Sequence, residues 1–295
     1  MTSRALLLKI ARFLVFAPFI LGLSDLNKAR AQDKPYFVTY SQDLEEPGNL
    51  EIESKSAIGT PNGGNQFGAV AGEFEYGATA WWTTELYLDG QGTISESTIP
   101  TGIRWENRLR MLMAEHAINP VFYVEFENIS GADKNMLEVV GHDGKSDLAV
   151  ANAASRQDHK HEGELKLILS SNVRNWNVSE NFIAEKNLGH APWEFGYAVG
   201  VSRPLSTSFR DCTFCTSKVP VGVEVFGGLG DTWSLTMRDT SHYVAPVIAW
   251  YLPKQTRLSF STGFGLTRSS LDRIYRVGFA VEIPQFGHLF RGESR

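Results

Sequence analysis

Four charged side chains alternate with uncharged ones in the stretch IRWENRLR, residues 103–110. They are Arg104, Glu106, Arg108 and Arg110. Alternate residues of a β-strand share one face and lie about 7 Å apart, so this stretch predicts a ladder of charges along a strand. Two interpretations fit the ladder. It could attract anions in a channel, as charged rings do in pores, or it could form a salt-bridge network that fills a narrow barrel.

Other charged residues occupy alternate positions of further strand-like stretches, and most of them are acidic. They could face the arginines across an enclosed space, which makes them candidates for lining the interior of a barrel. These candidates are Glu73, Glu75, Glu125, Glu127, Glu194, Glu224, Arg276 and Glu282.

The chain contains two cysteines, Cys212 and Cys215, in the stretch DCTFCTS. In an oxidising compartment such a pair is expected to form a local disulfide. A redox CxxC site would need a helix and a thioredoxin-like βαβ context, neither of which the sequence indicates. Attachment of haem would need a histidine after Cys215, where Thr216 stands.

A histidine-rich stretch, DHKHEGE at residues 158–164, offers groups that metal ions bind. It is expected to lie in an outer loop, where ligand spacing is not fixed, so a solvated charged loop is the alternative interpretation. The sequence leaves the role of the stretch around His159 open and predicts no metal site and no cofactor. The groups concerned are Asp158, His159, His161, Glu162 and Glu164, with His142 and Asp143 upstream.

No catalytic set emerges from the remaining residues. No histidine is closely followed by Ser-Asn-Gly on a strand, and His116 and His242 stand alone near strand ends. The glycine-rich residues 59–65 lack the lysine of a phosphate-binding loop. We therefore predict that the protein is not an enzyme.

These side chains must be positioned by β-strands, because hydrophobic alternation recurs along the whole chain. The clearest case is residues 272–287, where Tyr275, Val277 and Phe279 alternate with charged or small residues. One opening strand from Asn49, five strand pairs and this closing strand make twelve. An even number is what an up-and-down barrel needs if both of its ends are to lie on the same side.

The distribution of side chains favours a membrane barrel over a soluble sandwich. One face of many strands carries Gly, Ala or Ser and the other carries Val or Phe, and aromatic residues cluster near strand ends, as at membrane interfaces. Connections within strand pairs are mostly short, whereas those between pairs are longer, as in outer-membrane barrels. The expected outer loops are residues 89–101, 129–163 and 228–241, and residues 204–218 form a long link at an expected periplasmic turn.

The first residues predict export. Arg4, Lys9 and Arg12 precede an apolar run at residues 13–23, and a small-x-small sequence follows at residues 29–31. This pattern is typical of a cleaved signal peptide. The expected organisation is a signal peptide at 1–31, a periplasmic segment at 32–48, the barrel at 49–283 and a tail at 284–295. The 295 residues carry a net charge of -5 without a basic block, which argues against nucleic acid as a partner.

Several stretches together resemble a group of Gram-negative outer-membrane proteins. They are QDLEEPGNLEIES (residues 42–54), GEFEYGATAWWTTELYL, GELKLILSSNVRNWNVSENFIAEK and the closing YRVGFAVEI. The group is the transporter-like barrel family associated with meta-pathway phenol degradation. The resemblance covers residues 38–283 and implies a twelve-stranded barrel with passive uptake of small molecules. One departure is that such barrels usually end on a terminal aromatic, whereas this chain continues through PQFGHLFRGESR.

The sequence thus predicts an all-β fold: a twelve-stranded antiparallel up-and-down transmembrane β-barrel in the outer membrane. The expected function is porin- or transporter-like passage of small solutes, or a structural role. Expected partners are outer-membrane lipid, the barrel assembly machinery and a small-molecule solute. The alternatives are a secreted soluble β-sandwich that binds a ligand and an outer-membrane barrel that hydrolyses lipid.

Overall fold

A computed structural model describes residues 34–136, 138–189, 191–206 and 215–289. The predicted signal peptide, Cys212 and the end of the predicted tail lie outside the described residues. No helix in the described part of the chain combines the length and the apolar character needed to cross a membrane.

The described residues form twelve β-strands. Two short helices, α1 (Lys145–Ala149) and α2 (Asn152–Ser155), lie between β5 and β6, and 3-10 turns occur at Thr216–Lys218 and Phe286–Leu289. The strands are β1 (Leu50–Gly59), β2 (Phe67–Thr79), β3 (Trp82–Thr93), β4 (Ser97–Arg110), β5 (Asn119–Ser130), β6 (His159–Val173), β7 (Trp176–Asn187), β8 (Glu194–Pro204), β9 (Pro220–Asp231), β10 (His242–Leu252), β11 (Thr256–Gly265) and β12 (Arg273–Ile283).

The strands close into one antiparallel barrel in which each strand pairs with the next along the chain. Closure is made by β1 and β12, which pair over the full length of β1 from Leu50 opposite Ile283 to Gly59 opposite Ile274. The predicted twelve-stranded up-and-down barrel is therefore confirmed. Both the start of β1 and the end of β12 lie at one end, which we call the periplasmic end; the opposite end is the outer end.

The polarity of the barrel wall is the reverse of that of a soluble protein. On β12 the apolar Val277 and Phe279 are 41% and 48% exposed. Arg276, on the opposite face of the same strand, is 2% exposed. Trp81 and Trp176 are exposed beside periplasmic turns, where aromatic rings suit a membrane interface. An apolar outer surface around a charged interior is the arrangement of a transmembrane barrel and excludes a soluble β-sandwich.

Tight turns join most strands at the periplasmic end. Arg174 and Asn175 link β6 to β7 with φ of 49° and 65°, the two positive values of the hairpin turn whose twist matches that of its strands. Two expected outer loops are shorter than predicted. Strands β3 and β4 extend far enough that residues 94–96 suffice where residues 89–101 were expected, and β9 continues to Asp231 within the expected loop 228–241.

The longest connection lies at the outer end between β5 and β6. This stretch, residues 131–158, is called the outer loop here. Its buried side chains include Ala132, Val139 and Leu148, so the outer loop packs into the mouth of the barrel and not away from it. The link between β8 and β9 at the periplasmic end is also long, as the sequence predicts.

Candidate functional site

The periplasmic half of the barrel interior holds residues 34–44, called the luminal segment here. The Glu224 carboxylate on β9 anchors this segment by accepting three backbone N–H groups. Phe37 donates to Oε2 at 3.1 Å, whereas Val38 and Thr39 donate to Oε1 at 2.8 and 2.7 Å. Glu224 is fully buried, and these bonds satisfy both of its oxygens, as a buried carboxylate requires.

Tyr40 fixes the same segment to two other parts of the wall. Its backbone N–H donates to Asn181 Oδ1 at 2.6 Å, and Asn181 Nδ2 donates back to the Tyr40 carbonyl at 2.9 Å. The Tyr40 hydroxyl donates to Glu106 Oε2 at 2.9 Å, an oxygen that also accepts from Tyr87 at 2.6 Å. The segment is thus held by side chains of the wall and is not a strand of the sheet.

The predicted charge ladder of β4 faces the interior, where most of its side chains form ion pairs. Arg108 lies 2.5 Å from Glu75, 3.4 Å from Glu85 and 2.8 Å from Glu106. Arg110, at the periplasmic end of β4, approaches the backbone carbonyl of Gln42 at 3.4 Å. This part of the ladder therefore cross-links the wall and contacts the luminal segment.

Arg104 makes equivalent contacts one step towards the outer end. Its Nε lies 2.8 Å from Asp89, and Nη1 lies 3.6 Å from Glu125. Asp89 also accepts from Asn135 of the outer loop at 2.8 Å. The arginine side chains of β4 therefore connect the wall to both pieces of chain inside the barrel.

Two further cations hold the outer loop. Lys166 on β6 pairs with Glu138 at 2.8 Å, and Arg276 on β12 donates from Nη2 to the Met136 carbonyl at 2.9 Å. Both cations are almost completely buried. The outer mouth is thus covered by chain that is tied to the wall through a small number of side chains.

The remaining predicted lining residues also face the interior. Glu73 pairs with Lys55 at 2.7 Å, and Glu282 accepts from Asn49 at 2.5 Å. Glu194 lies under the outer loop, where Gly141 approaches it so closely that a β-carbon on that glycine would sit 2.5 Å from the carboxylate. Among the described residues, no ion pair or hydrogen bond joins the side chain of Glu127 or of Glu194 to another residue, and Glu127 is the more buried of the two, at 7% exposed.

Inward-facing acids form a continuous row around the barrel, which we call the carboxylate row. Nine successive cross-strand pairings join ten acids on β12 and β1–β9, and each acid lies directly opposite the next. Because the strands of a barrel are tilted and staggered, the row climbs from the periplasmic end of β12 to the outer end of β9. Its members in order are Glu282, Glu51, Glu75, Glu85, Glu106, Glu125, Glu164, Glu185, Glu194 and Asp231.

The cysteines and the histidine-rich stretch are the other groups that the sequence singled out. Cys215 is disulfide-bonded, and Cys212, its predicted partner, lies outside the described residues. His159 and His161 belong to β6 and not to a loop, and they point outward, away from the inward Glu162. Among the described residues, no three His, Cys, Asp or Glu side chains are grouped so that they could hold a metal ion.

The luminal segment is the main feature that sequence reasoning missed. Residues 32–48 are predicted to be periplasmic, whereas residues 34–44 lie inside the barrel. The available signal was the run YFVTY at residues 36–40, which is too aromatic for a solvated linker. His242 also differs from expectation: it does not stand alone, because its ring bonds Tyr197 at 3.0 Å and Thr240 at 2.8 Å on the outward face.

Fold and interior together define the class of this protein: it is a transmembrane β-barrel of the outer-membrane type, with a charged interior and an apolar lipid-facing surface. Solved structures of this kind are similar to it. An outer membrane channel from Pseudomonas putida F1 is 9% identical with a TM-score of 0.50, over 82% of this chain and 97% of that one. At this identity the similarity concerns the fold.

Two further solved structures align over comparable lengths. The KdgM porin is 8% identical with a TM-score of 0.47, over 78% of this chain and 98% of that one. LpxR from Salmonella typhimurium is 9% identical with a TM-score of 0.38, over 79% and 99% of the two chains. No family model matches the sequence. No curated protein matches it either.

Proposed function

We propose that this protein is a porin-like channel for small solutes and that the luminal segment and the outer loop close it. The observation that carries the proposal is that the chain filling the interior is not part of the wall. At the periplasmic side it depends on one carboxylate, Glu224, for three backbone hydrogen bonds. Such a segment can leave without breaking any strand pairing, and a polar passage remains.

The interior also contains space on both sides of its ion pairs. A cavity of about 80 Å³ lies beside the luminal segment, and one of about 170 Å³ lies beneath the outer loop. Arg108 lines the first cavity and Arg104 lines the second. Passage therefore requires displacement of the segment and rearrangement of these side chains.

A structural role is the second candidate, and the ion pairs of Arg108 favour it. This one guanidinium links three acids from strands β2, β3 and β4. A twelve-stranded barrel has little free interior once long side chains cross it. If the network holds without the luminal segment, the barrel stays closed.

Single-channel conductance in planar bilayers separates the two candidates. We expect brief openings for the wild type, a higher open probability for Glu224→Gln and a larger conductance for Arg108→Ala. Glu180→Gln is the matched control, because Glu180 lies on the outward face of β7 and its replacement should change neither quantity. If all four proteins are folded, as judged by heat-modifiable migration in detergent gels, and none conducts, the structural role replaces the channel.

The finer assignments rest on the sequence. We propose that the chain is related to the barrels associated with meta-pathway phenol degradation, on the strength of stretches such as residues 42–54 and the closing strand. Outer-membrane lipid is the proposed partner of the exposed apolar belt, and the barrel assembly machinery is the proposed partner during insertion. Absence of catalysis remains a prediction, which an assay for lipid hydrolysis by the purified barrel would test.

A further inference from the structure

The outer half of the carboxylate row carries more negative charge than its neighbours neutralise. Acids directly opposite one another across a strand pair repel. From Glu51 to Glu125, Arg257, Arg108 and Arg104 form ion pairs with acids of the row and offset the repulsion. From Glu164 onward the described cations nearby are fewer, chiefly Lys160 and Lys166.

The cavity of about 170 Å³ beneath the outer loop lies at this outer half. Its walls include acids from β5, β6 and β7 and from the outer loop, with three cations among them, Arg104, Lys134 and Lys160. Lys160 and Asp143 are exposed or partly exposed, so the cavity can be reached from the outer mouth. The residues that matter here are Arg104, Glu127, Asp143, Lys160, Glu162 and Glu185.

Glu127 is a buried acid in this cavity whose carboxylate no described side chain bonds. Its residue is 7% exposed, and within the described chain its carboxylate has no hydrogen bond or ion pair. Its cross-strand neighbours are another acid, Glu162 on β6, and Arg104 on β4. The Arg104 guanidinium forms its ion pairs with Asp89 and Glu125 and not with Glu127. A buried carboxylate without a partner is costly, and a bound cation aimed at Glu127 would remove that cost.

We propose that this cavity binds an aliphatic polyamine, a solute that carries several ammonium groups along a flexible chain. The acids lie on successive strands, about 4.8 Å apart, and no three acidic or histidine side chains of the described residues converge on a single metal position. Ammonium groups spaced along a chain can each meet a different carboxylate. Each N–H donor then makes a charge-assisted bond of the strong kind.

The idea that such a polyamine is also transported rests on the proposed channel function, whereas its binding does not. From the cavity the carboxylate row continues to the periplasmic end, so it offers a cation successive partners along the wall. Charged rings select ions in pores in this manner.

Isothermal titration calorimetry of the folded full-length barrel with spermidine tests the site. We expect one site in the wild type, and affinity at least about tenfold weaker for Glu127→Gln and for Glu185→Gln, which corresponds to about 1.4 kcal/mol. Glu180→Gln, a change of the same kind on the outward face of β7, should bind as the wild type does. Two luminal variants are used so that a folding defect in one does not decide the result.

The site is overturned if the folded wild type gives no binding, or if both luminal variants bind as tightly as the wild type. It is overturned as a polyamine site if Mg²⁺ alone binds with the same dependence on Glu127 and displaces spermidine. Equilibrium binding needs no current. A barrel that binds spermidine without conducting removes the channel proposal alone, whereas one that conducts without binding removes the site alone.

Discussion

Replacement of Glu224 by glutamine should release the luminal segment. In the wild type Oε1 accepts the N–H groups of Val38 and Thr39, and Oε2 accepts that of Phe37. Glutamine keeps one acceptor oxygen and puts an NH₂ group in place of the other. At least one N–H group of the segment then faces a donor, and the remaining bonds lose the negative charge of their acceptor.

The size of the effect follows from this count of bonds. A hydrogen bond to a charged group contributes about 1.5–3 kcal/mol, and a neutral one about 0.5–1.5 kcal/mol. Exchanging three charged bonds for two neutral ones costs between about 1.5 and 8 kcal/mol, and we take about 3 kcal/mol. Because 1.4 kcal/mol is a factor of ten, release of the segment should become about 100-fold more favourable.

Hydrogen–deuterium exchange with mass spectrometry measures this release directly on peptides that cover residues 34–44. Exchange of that peptide should be about 100-fold faster in Glu224→Gln, while peptides from the strands keep their wild-type rates. Glu194→Gln is the matched control, because Glu194 also faces the interior but lies at the outer end, away from the segment. Unchanged exchange at residues 34–44 in a folded Glu224→Gln barrel would show that this carboxylate does not hold the segment.

Three further outcomes are expected. Gly77→Ala places a β-carbon 2.1 Å from the Glu46 carbonyl, so exchange at residues 45–49 should rise while the pairing of β2 is kept; equal exchange in both proteins contradicts this. Val277→Arg, at the centre of the lipid-facing side of β12, should lower the free energy of unfolding into lipid vesicles by about 2–4 kcal/mol, and Ile58→Arg near the rim by about 0–1 kcal/mol; equal losses would refute the depth argument. Arg276→Gln should speed exchange in the outer loop but not at residues 34–44, and the reverse pattern would contradict separate anchoring.

The wall of the barrel could be predicted from the sequence because alternation is a local property. Val277 and Phe279 are separated by single residues, and a period of two needs no knowledge of distant contacts. The number of strands and the inward direction of Arg104 and Arg108 follow from the same period. Loop lengths were less predictable, since strands β3 and β4 continue through residues such as Gly90 and Pro100 that usually end a strand.

The contents of the barrel could not be predicted in this way, because they depend on contacts between distant residues. Glu224 accepts hydrogen bonds from the N–H groups of residues 37–39, which lie 185 to 187 positions earlier in the chain. Nothing local distinguishes a carboxylate that binds backbone from one that lines a pore. The prediction of a loop around His159 was wrong for a related reason. The charge of this stretch suggests a loop, whereas pairing of β6 with β5 extends the strand through it.

The carboxylate row depends on register, which is fixed only when the barrel closes. Each acid is unremarkable within its own strand, and the row exists because nine strand pairings bring them opposite one another. Like charges directly opposite one another destabilise a strand pair, so the row without compensation would oppose folding. In the periplasmic half, Arg108 and its neighbours remove most of that destabilisation within the protein. Around Glu127 and Glu185 the compensation is incomplete. A cation from solution should therefore be stabilised most in the outer cavity, and not beside the more strongly charged strand β4.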